Sequence, residues 1–303
     1  MVFRVPGSDA VATGAQQVGR LSADPAVLAA VRGTSAANGA NFDMLLSYAA
    51  MESGLNPTAR ATTSSASGLY QFTEQTWLNA VREYGAAHGM GAEAALVTRQ
   101  GGQLAVEDQA ARQRILDLRN DPKVSTELAT EHLRSLADKL TPVLGRPPDP
   151  AETYLGHFLG AGGATQVLQA LQATPNQPAA DLLPAAAEAN RAMFYSPNGT
   201  PLTMSQFVQK IRDRVQRTYA SLGAAMPASV VLSTTGSKAD ASEAGTTGWG
   251  SSSPARSAST PQRMLLATLA EVFTRMDRPA DRSRRQHGLP QAVVSALGSG
   301  APS

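Results

Sequence analysis

Apolar residues recur at helical spacing along most of the chain as far as Leu222. Leu45, Tyr48, Ala49 and Glu52 fall at i, i+3, i+4 and i+7, so they share one helix face. That helix is predicted to start at a cap on Asn41 or Asp43 and to run through Met51. Before it, Asp24 and Pro25 open a shorter helix over 24–31, and "GTSAANGAN" ends it. After it, Trp77, Val81 and Tyr84 make a stripe on a helix that begins near Thr73, and Gly85, Gly89 and Gly91 close it. "LAVEDQAARQRILDLRNDP" reads as helix, and Asp121-Pro122 opens another through Leu140. "GRPPDP" turns the chain into a helix over 151–159, which Gly160, Gly162 and Gly163 interrupt before it resumes over 164–173. The last strong helix spans 204–222. Met204, Phe207, Val208, Ile211, Val215 and Tyr219 form its stripe, and Thr203 with Gln206 forms a capping box. No alternating strand pattern and no internal repeat stand out.

Beyond Gly223 the pattern stops. "STTGSKADASEAGTTGWGSSSPARSAST" offers too little apolar area to offset chain entropy. A short helix is expected near 261–276, with Met264, Leu265, Leu269, Val272 and Phe273 on its apolar face. The expected organisation is a flexible N-terminus over 1–23, an all-α domain over 24–223, and a largely disordered tail over 224–303.

Composition narrows this picture. The chain has 303 residues, 42% of them hydrophobic but only 5% aromatic, which favours close-packed helices over a β-sandwich. A formal net charge of +2 does not single out nucleic acid as a partner. Cysteine is absent, so disulfides and thiolate metal sites are excluded. His88, His132 and His287 show no metal-ligand spacing with one another or with carboxylates, and no metal or cofactor is expected. Gly160, Gly162 and Gly163 follow no predicted strand, which argues against a phosphate loop. No stretch reaches the roughly 18 apolar residues of a membrane span. The first 20 residues hold no apolar run of roughly 7–15, so no secretory signal is expected there.

The chemistry concentrates in "AAMESGLNPTARATTSSASGLYQF", residues 49–72. Glu52 sits among Ala49, Ala50 and Met51 on an apolar helix face. Burial of a carboxyl group disfavours its charged form. A glutamate kept protonated is a general acid, and the substrates most in need of one have a poor leaving-group oxygen, above all glycosides. The small polar loop would then line the site. Gly68 lets backbone approach a ligand, and the Gln71 amide can donate and accept. Tyr70 and Phe72 offer ring surface to a sugar. The plainer alternatives are a structural glutamate bonded to backbone and a core tyrosine or histidine.

Glu52-Ser53 followed by Gly68-Leu69-Tyr70-Gln71-Phe72 resembles the Glu-Ser and Gly-Leu-Met-Gln motifs of the soluble lytic transglycosylases, whose fold is similar to goose-type lysozyme. The resemblance is sharp over 41–80 and weaker to about 165. It includes the Asn56-Pro57 turn and Trp77. The family's third motif, Ala-Tyr-Asn-Ala-Gly, has its counterpart in "ETYLGHFLGAGGA", residues 152–164. Aligned on Gly160 and Gly162, this places His157 in the tyrosine position, with Tyr154 three residues earlier on the same face. Either can supply a hydrogen bond to Glu52. The motif's asparagine is missing. The long stretch between Gln71 and this helix points to an inserted helical hairpin near 90–120.

The resemblance implies a lysozyme-like catalytic domain that cleaves the β-1,4 bond between N-acetylmuramic acid and N-acetylglucosamine in peptidoglycan. Glu52 would be catalytic. Ser53, Gly68, Leu69, Tyr70, Gln71, Phe72, Tyr154 and His157 would bind the glycan, with no cofactor. It also implies action in the periplasm or cell wall. The C-terminal helix would offer a docking element for a flagellar, secretion or phage-associated protein, and Arg282, Arg284 and Arg285 would be a solvated patch or a contact to anionic wall polymer. Two rivals stay open. A hydrolytic muramidase of the same fold would use a second carboxylate, such as Asp43 or Glu74. A non-catalytic wall-binding assembly factor would fit the altered third motif.

Overall fold

The chain begins with a pairing that the residue pattern does not announce. In the computed structural model, which describes residues 14–62 and 64–230, β1 (Gln16–Val18) pairs antiparallel with β2 (Leu21–Ala23). Three-residue strands are too short for a period of two to register. The hairpin docks on the far end of the chain, where Arg20 N donates to Ser221 O at 2.7 Å. Among the described residues, regular structure is thus present from residue 16, inside the stretch expected to be flexible. The expected helix near 261–276 and the rest of the tail lie outside the described residues.

Caps set most of the remaining frame. Asp24 accepts from Ala26 N and starts α1 (Pro25–Asn38), which runs on through the small residues expected to break it and stops at Gly39. Asn41 accepts from Met44 N and starts α2 (Phe42–Ser53). Thr73 caps α3 (Glu74–Tyr84). Next come a 3-10 turn, α4 (Gly91–Leu96), and a second hairpin of β3 (Thr98–Gln100) with β4 (Gln103–Ala105). Gly101 and Gly102, with φ of 55° and 85°, form the two-residue turn that such a hairpin needs. Only after Asp108, which caps through Ala110 N and Ala111 N, does α5 (Gln109–Asp117) begin. The insertion is therefore helix, hairpin, helix rather than a helical hairpin, and Leu104 and Ala105 are strand residues.

Asp121 caps α6 (Pro122–Leu144), and Asp149 caps α7 (Pro150–Ala173). Gly160 breaks the helical path of α7, at φ 74° and ψ 162°, as the glycine cluster predicts. Three short helices follow: α8 (Ala179–Leu182), α9 (Pro184–Ala189) and α10 (Arg191–Phe194). Their lengths are below what helical periodicity can reveal. The Thr203 and Gln206 capping box opens α11 (Met204–Leu222). The fold is thus mostly helical, as expected, with two small hairpins added. Among the described residues no helix is long and apolar enough to cross a membrane.

Helix α2 is buried on every side from Met44 to Glu52. Helices α1 and α11 pack against it, and α6 and α11 pack against α7. Tyr48 on α2 donates to Pro150 O at 2.5 Å, which ties α2 to the start of α7. A charged knot holds that start in place. Glu152 accepts from both terminal nitrogens of Arg146 at 2.8 Å, and Arg212 on α11 meets Asp149 at 2.6 Å. Burial pushes the Glu152 carboxyl up, but Arg146, the Asp149 backbone and Arg212 outweigh it and hold the group below its ordinary value. These ties bring the next turn of α7 over Glu52. Packing also continues past Gly223, the expected boundary. Val230 is buried and its N–H donates to Pro148 O at 2.8 Å.

Candidate active site

Glu52 lies in the last turn of α2 and is 2% exposed. Tyr154, from the second turn of α7, donates its hydroxyl to Glu52 Oε1 at 3.0 Å. His157, one turn further, places Nε2 3.5 Å from the same oxygen, an ion-pair distance when the ring is protonated. Between the two residues left open by the sequence, Tyr154 makes the hydrogen bond. Glu52 Oε2 and His157 Nδ1 have no hydrogen-bond partner among the described residues. Burial, and then the charge of Glu52, push the Tyr154 phenol well above its ordinary value, with Arg214 working the other way. Tyr154 therefore keeps its proton and acts as a donor. The ring of Tyr48 meets Tyr154 edge-on at 5.4 Å and fixes its plane.

A narrow pocket adjoins these groups, with a cavity volume of about 10 Å³, room for roughly one water molecule. It is lined by Tyr48, Glu52, Tyr70, Phe72, Ala129, His132, Leu133 and His157, and Glu52 is the one carboxylate among the described residues of that lining. Of the rivals to Glu52, Glu74 is bound to Arg112 at 2.5 Å, and Asp43 sits in the first turn of α2 at its opposite end.

The loop after α2 is braced from within and from outside. Asn56 Oδ1 accepts from Thr58 N at 3.0 Å, an Asx turn that starts it. Bridges join Arg60 to Ser67 and Ser67 to Phe72. Gln71, a non-glycine residue at φ 49°, donates from Nε2 to Gly68 O at 2.8 Å and to Ala59 O at 3.1 Å. Its donor end is thus engaged in the loop, and only the carbonyl end is uncommitted by those bonds. Arg119, just before α6, donates from Nη1 to Ser65 O at 2.7 Å and to Phe72 O at 3.1 Å. Ser67 donates to Asn120 at 3.0 Å.

This bracing corrects one expectation. Gly68, at φ 84°, permits a close backbone approach, but the approaching group is the chain's own Arg119. A Cβ at 68 would stand 1.9 Å from Arg119 O. Ser53 turns its hydroxyl back to Ala49 O at 3.0 Å. Leu69 is core. Phe72 packs edge-on against Trp77 at 5.3 Å, and its other side meets His132 at 5.9 Å. Tyr70 and Phe72 are both buried, and both line the pocket.

Two residues of this region were not picked out from the sequence. His132 on α6 lines the pocket, with its ring 5.8 Å from that of His157. Arg214 on α11 is 7% exposed, and its positive charge opposes the upward push on the Tyr154 phenol. Each carries a faint signal: a polar residue falling within a buried helical stripe. His132 stands three after Ala129 and four after Leu128, and Arg214 stands three after Ile211.

Burial, then His157, then Lys139 push His132 down to about 3 from an ordinary 6.5. The folded protein resists protonating it, whereas the unfolded chain takes the proton as pH falls through 6.5. More protons bind the unfolded state in that window, so stability falls as pH drops from 6.5 towards 3. His132→Phe is expected to flatten that acid-side loss when melting temperature is followed against pH. Parallel acid limbs for the two proteins would rule out a buried neutral His132.

No family model matches the chain.

Proposed function

We propose that the chain is a lytic transglycosylase with a lysozyme-like catalytic domain, cleaving the glycan strand of peptidoglycan between N-acetylmuramic acid and N-acetylglucosamine. One observation carries the reading. Among the described residues, the glutamate singled out by the motifs is the sole carboxylate of a buried pocket, with one oxygen held by a tyrosine and the other without a partner. Glu52 donates its proton to the glycosidic oxygen as the C1–O4 bond breaks. The resulting carboxylate takes the proton of the C6 hydroxyl as O6 bonds to C1, which closes a 1,6-anhydro ring and restores the acid. One carboxyl group serves twice, and no second one is required. Tyr154 and His157 hold Oε1, and Tyr70 and Phe72 form a wall of the site. The reaction takes place in the periplasm or cell wall. The engagement of Glu74 with Arg112 supports this reading over a muramidase of the same fold.

The depth of Glu52 favours a second reading, a wall-binding factor without activity. At 2% exposed, the carboxyl has no room for a sugar beside it in this arrangement. Digestion of purified sacculi, followed by mass spectrometry, separates the outcomes. Anhydromuropeptides are expected. Reducing ends would establish a muramidase, and retention of the protein on undigested sacculi would establish the binding role.

A further inference from the structure

A buried acid that gives up its proton leaves a negative charge behind, and such a charge is costly without a partner. The reaction proposed above puts Glu52 in that state between its two proton transfers. Tyr154 gives the carboxylate a hydrogen bond at 3.0 Å, but a phenol brings no charge. Among the described residues, no lysine or arginine lines the pocket, and its two histidines are the groups able to turn positive. They are not equivalent. His132 is kept neutral by burial first, then by His157 and Lys139, which push it down to about 3. His157 faces Glu52 directly, with Nε2 3.5 Å from Oε1, and both side chains are buried. This is the one ion-pair contact of Glu52 among the described residues.

His157 Nδ1 has no hydrogen-bond partner among the described residues. The ring can therefore gain or lose a proton there and keep Nε2 on Glu52 in both states. Tyr154 and His157 stand three residues apart on α7, with ring centroids 6.0 Å apart, so one helix face brings a hydrogen bond and a charge to the same oxygen. We infer that His157 is a positioning residue whose imidazolium form is the counter-ion of the Glu52 carboxylate. The other titratable groups around the pair stay neutral. They are His132 from α6, and Tyr48 and Tyr154, whose phenols burial pushes well above their ordinary value. Lys139 acts on His132, and Arg214 on Tyr154, through their charge. The gain falls on the first transfer, where the carboxylate forms. That kinetic consequence rests on the transglycosylase reading, whereas the pairing itself does not.

Two variants and one spectrum test the pairing. His157→Gln keeps a hydrogen-bond donor but cannot take a charge, and His157→Phe keeps only the bulk. With sacculi as substrate, both are expected to lower kcat on the order of 10²-fold with KM little changed. A Gln variant close to wild type, or losses confined to melting temperature, would overturn the inference. The spectrum needs neither activity nor a change at His157. Ring 15N signals report which histidine nitrogens carry protons, and the chain has four histidines. At about pH 6.5, the ordinary histidine midpoint, Glu52→Gln is expected to reduce the doubly protonated fraction of one ring. No response from any ring would remove the counter-ion role, even where the His157 variants fail to fold. If wild type releases no muropeptide but a ring responds, the function proposed above fails and the pairing stands.

Discussion

Glu52→Gln is expected to abolish muropeptide release from sacculi while the protein stays folded. The amide keeps the shape of the side chain, and its oxygen can still accept from Tyr154. It cannot donate an acidic proton to the glycosidic oxygen, nor take one from the C6 hydroxyl. General acid-base assistance contributes about 10²- to 10⁴-fold. Here both steps fall on one group, because the pocket lining holds no other carboxylate. The loss should therefore lie at the upper end of that range or beyond it. Circular dichroism and melting temperature serve as the folding control. Rapid release by a folded Gln variant would remove Glu52 from the chemistry.

Gly68→Ala is expected to be the most damaging one-methyl change near the site. The backbone there stands at φ 84°, which non-glycine residues adopt only under strain. The new methyl carbon would meet Arg119 O at 1.9 Å and Arg119 C at 2.7 Å, both backbone atoms. Arg119 cannot retreat freely, since its guanidinium clamps Ser65 and Phe72 of the same loop. Strain and displacement together amount to about 2–4 kcal/mol. For a domain of this size that is a fall of roughly 5–15 °C in melting temperature. A control at Gly89, also at positive φ but with open space around its Cβ position, should lose much less. Equal losses at the two positions would show that the Arg119 contact does not matter.

How far the sequence discloses this molecule depends on what each feature needs for its recognition. The caps at Asp24 and Thr203 and the helix starts at Thr73 and Asp121 are local chemistry, decided within a few residues, and they form as read, while of Asn41 and Asp43 it is Asn41 that caps. The face shared by Tyr48 and Glu52 is also local, and both are buried. The hairpin after α4 was missed because its strands have three residues each, although Gly101-Gly102 marked the turn. The clamp of Arg119 on the loop, and the bond of Tyr154 to Glu52, join elements far apart in the chain, and no spacing rule reaches them. An arginine on the buried stripe of α11 was still a visible anomaly. A buried charge needs a partner. Gly68 shows the opposite limit, for the residue was singled out correctly while its neighbour could not be foreseen.

The place of α11 in the chain has a consequence for synthesis. It is the last of the described helices, yet it packs on α2 and α7, receives the N-terminal hairpin at Ser221, and supplies Arg212 to the start of α7. Glu52 and Tyr154 are themselves 102 residues apart. On the ribosome, a nascent chain that has released α1 through α7 still leaves the apolar sides of α2 and α7 uncovered. Contacts of such sequence separation close late, and open apolar faces attract chaperones or other nascent chains in the interval. The packing behind the site is thus completed only after α11 has left the exit tunnel, and a polypeptide halted before residue 222 is a client for quality control.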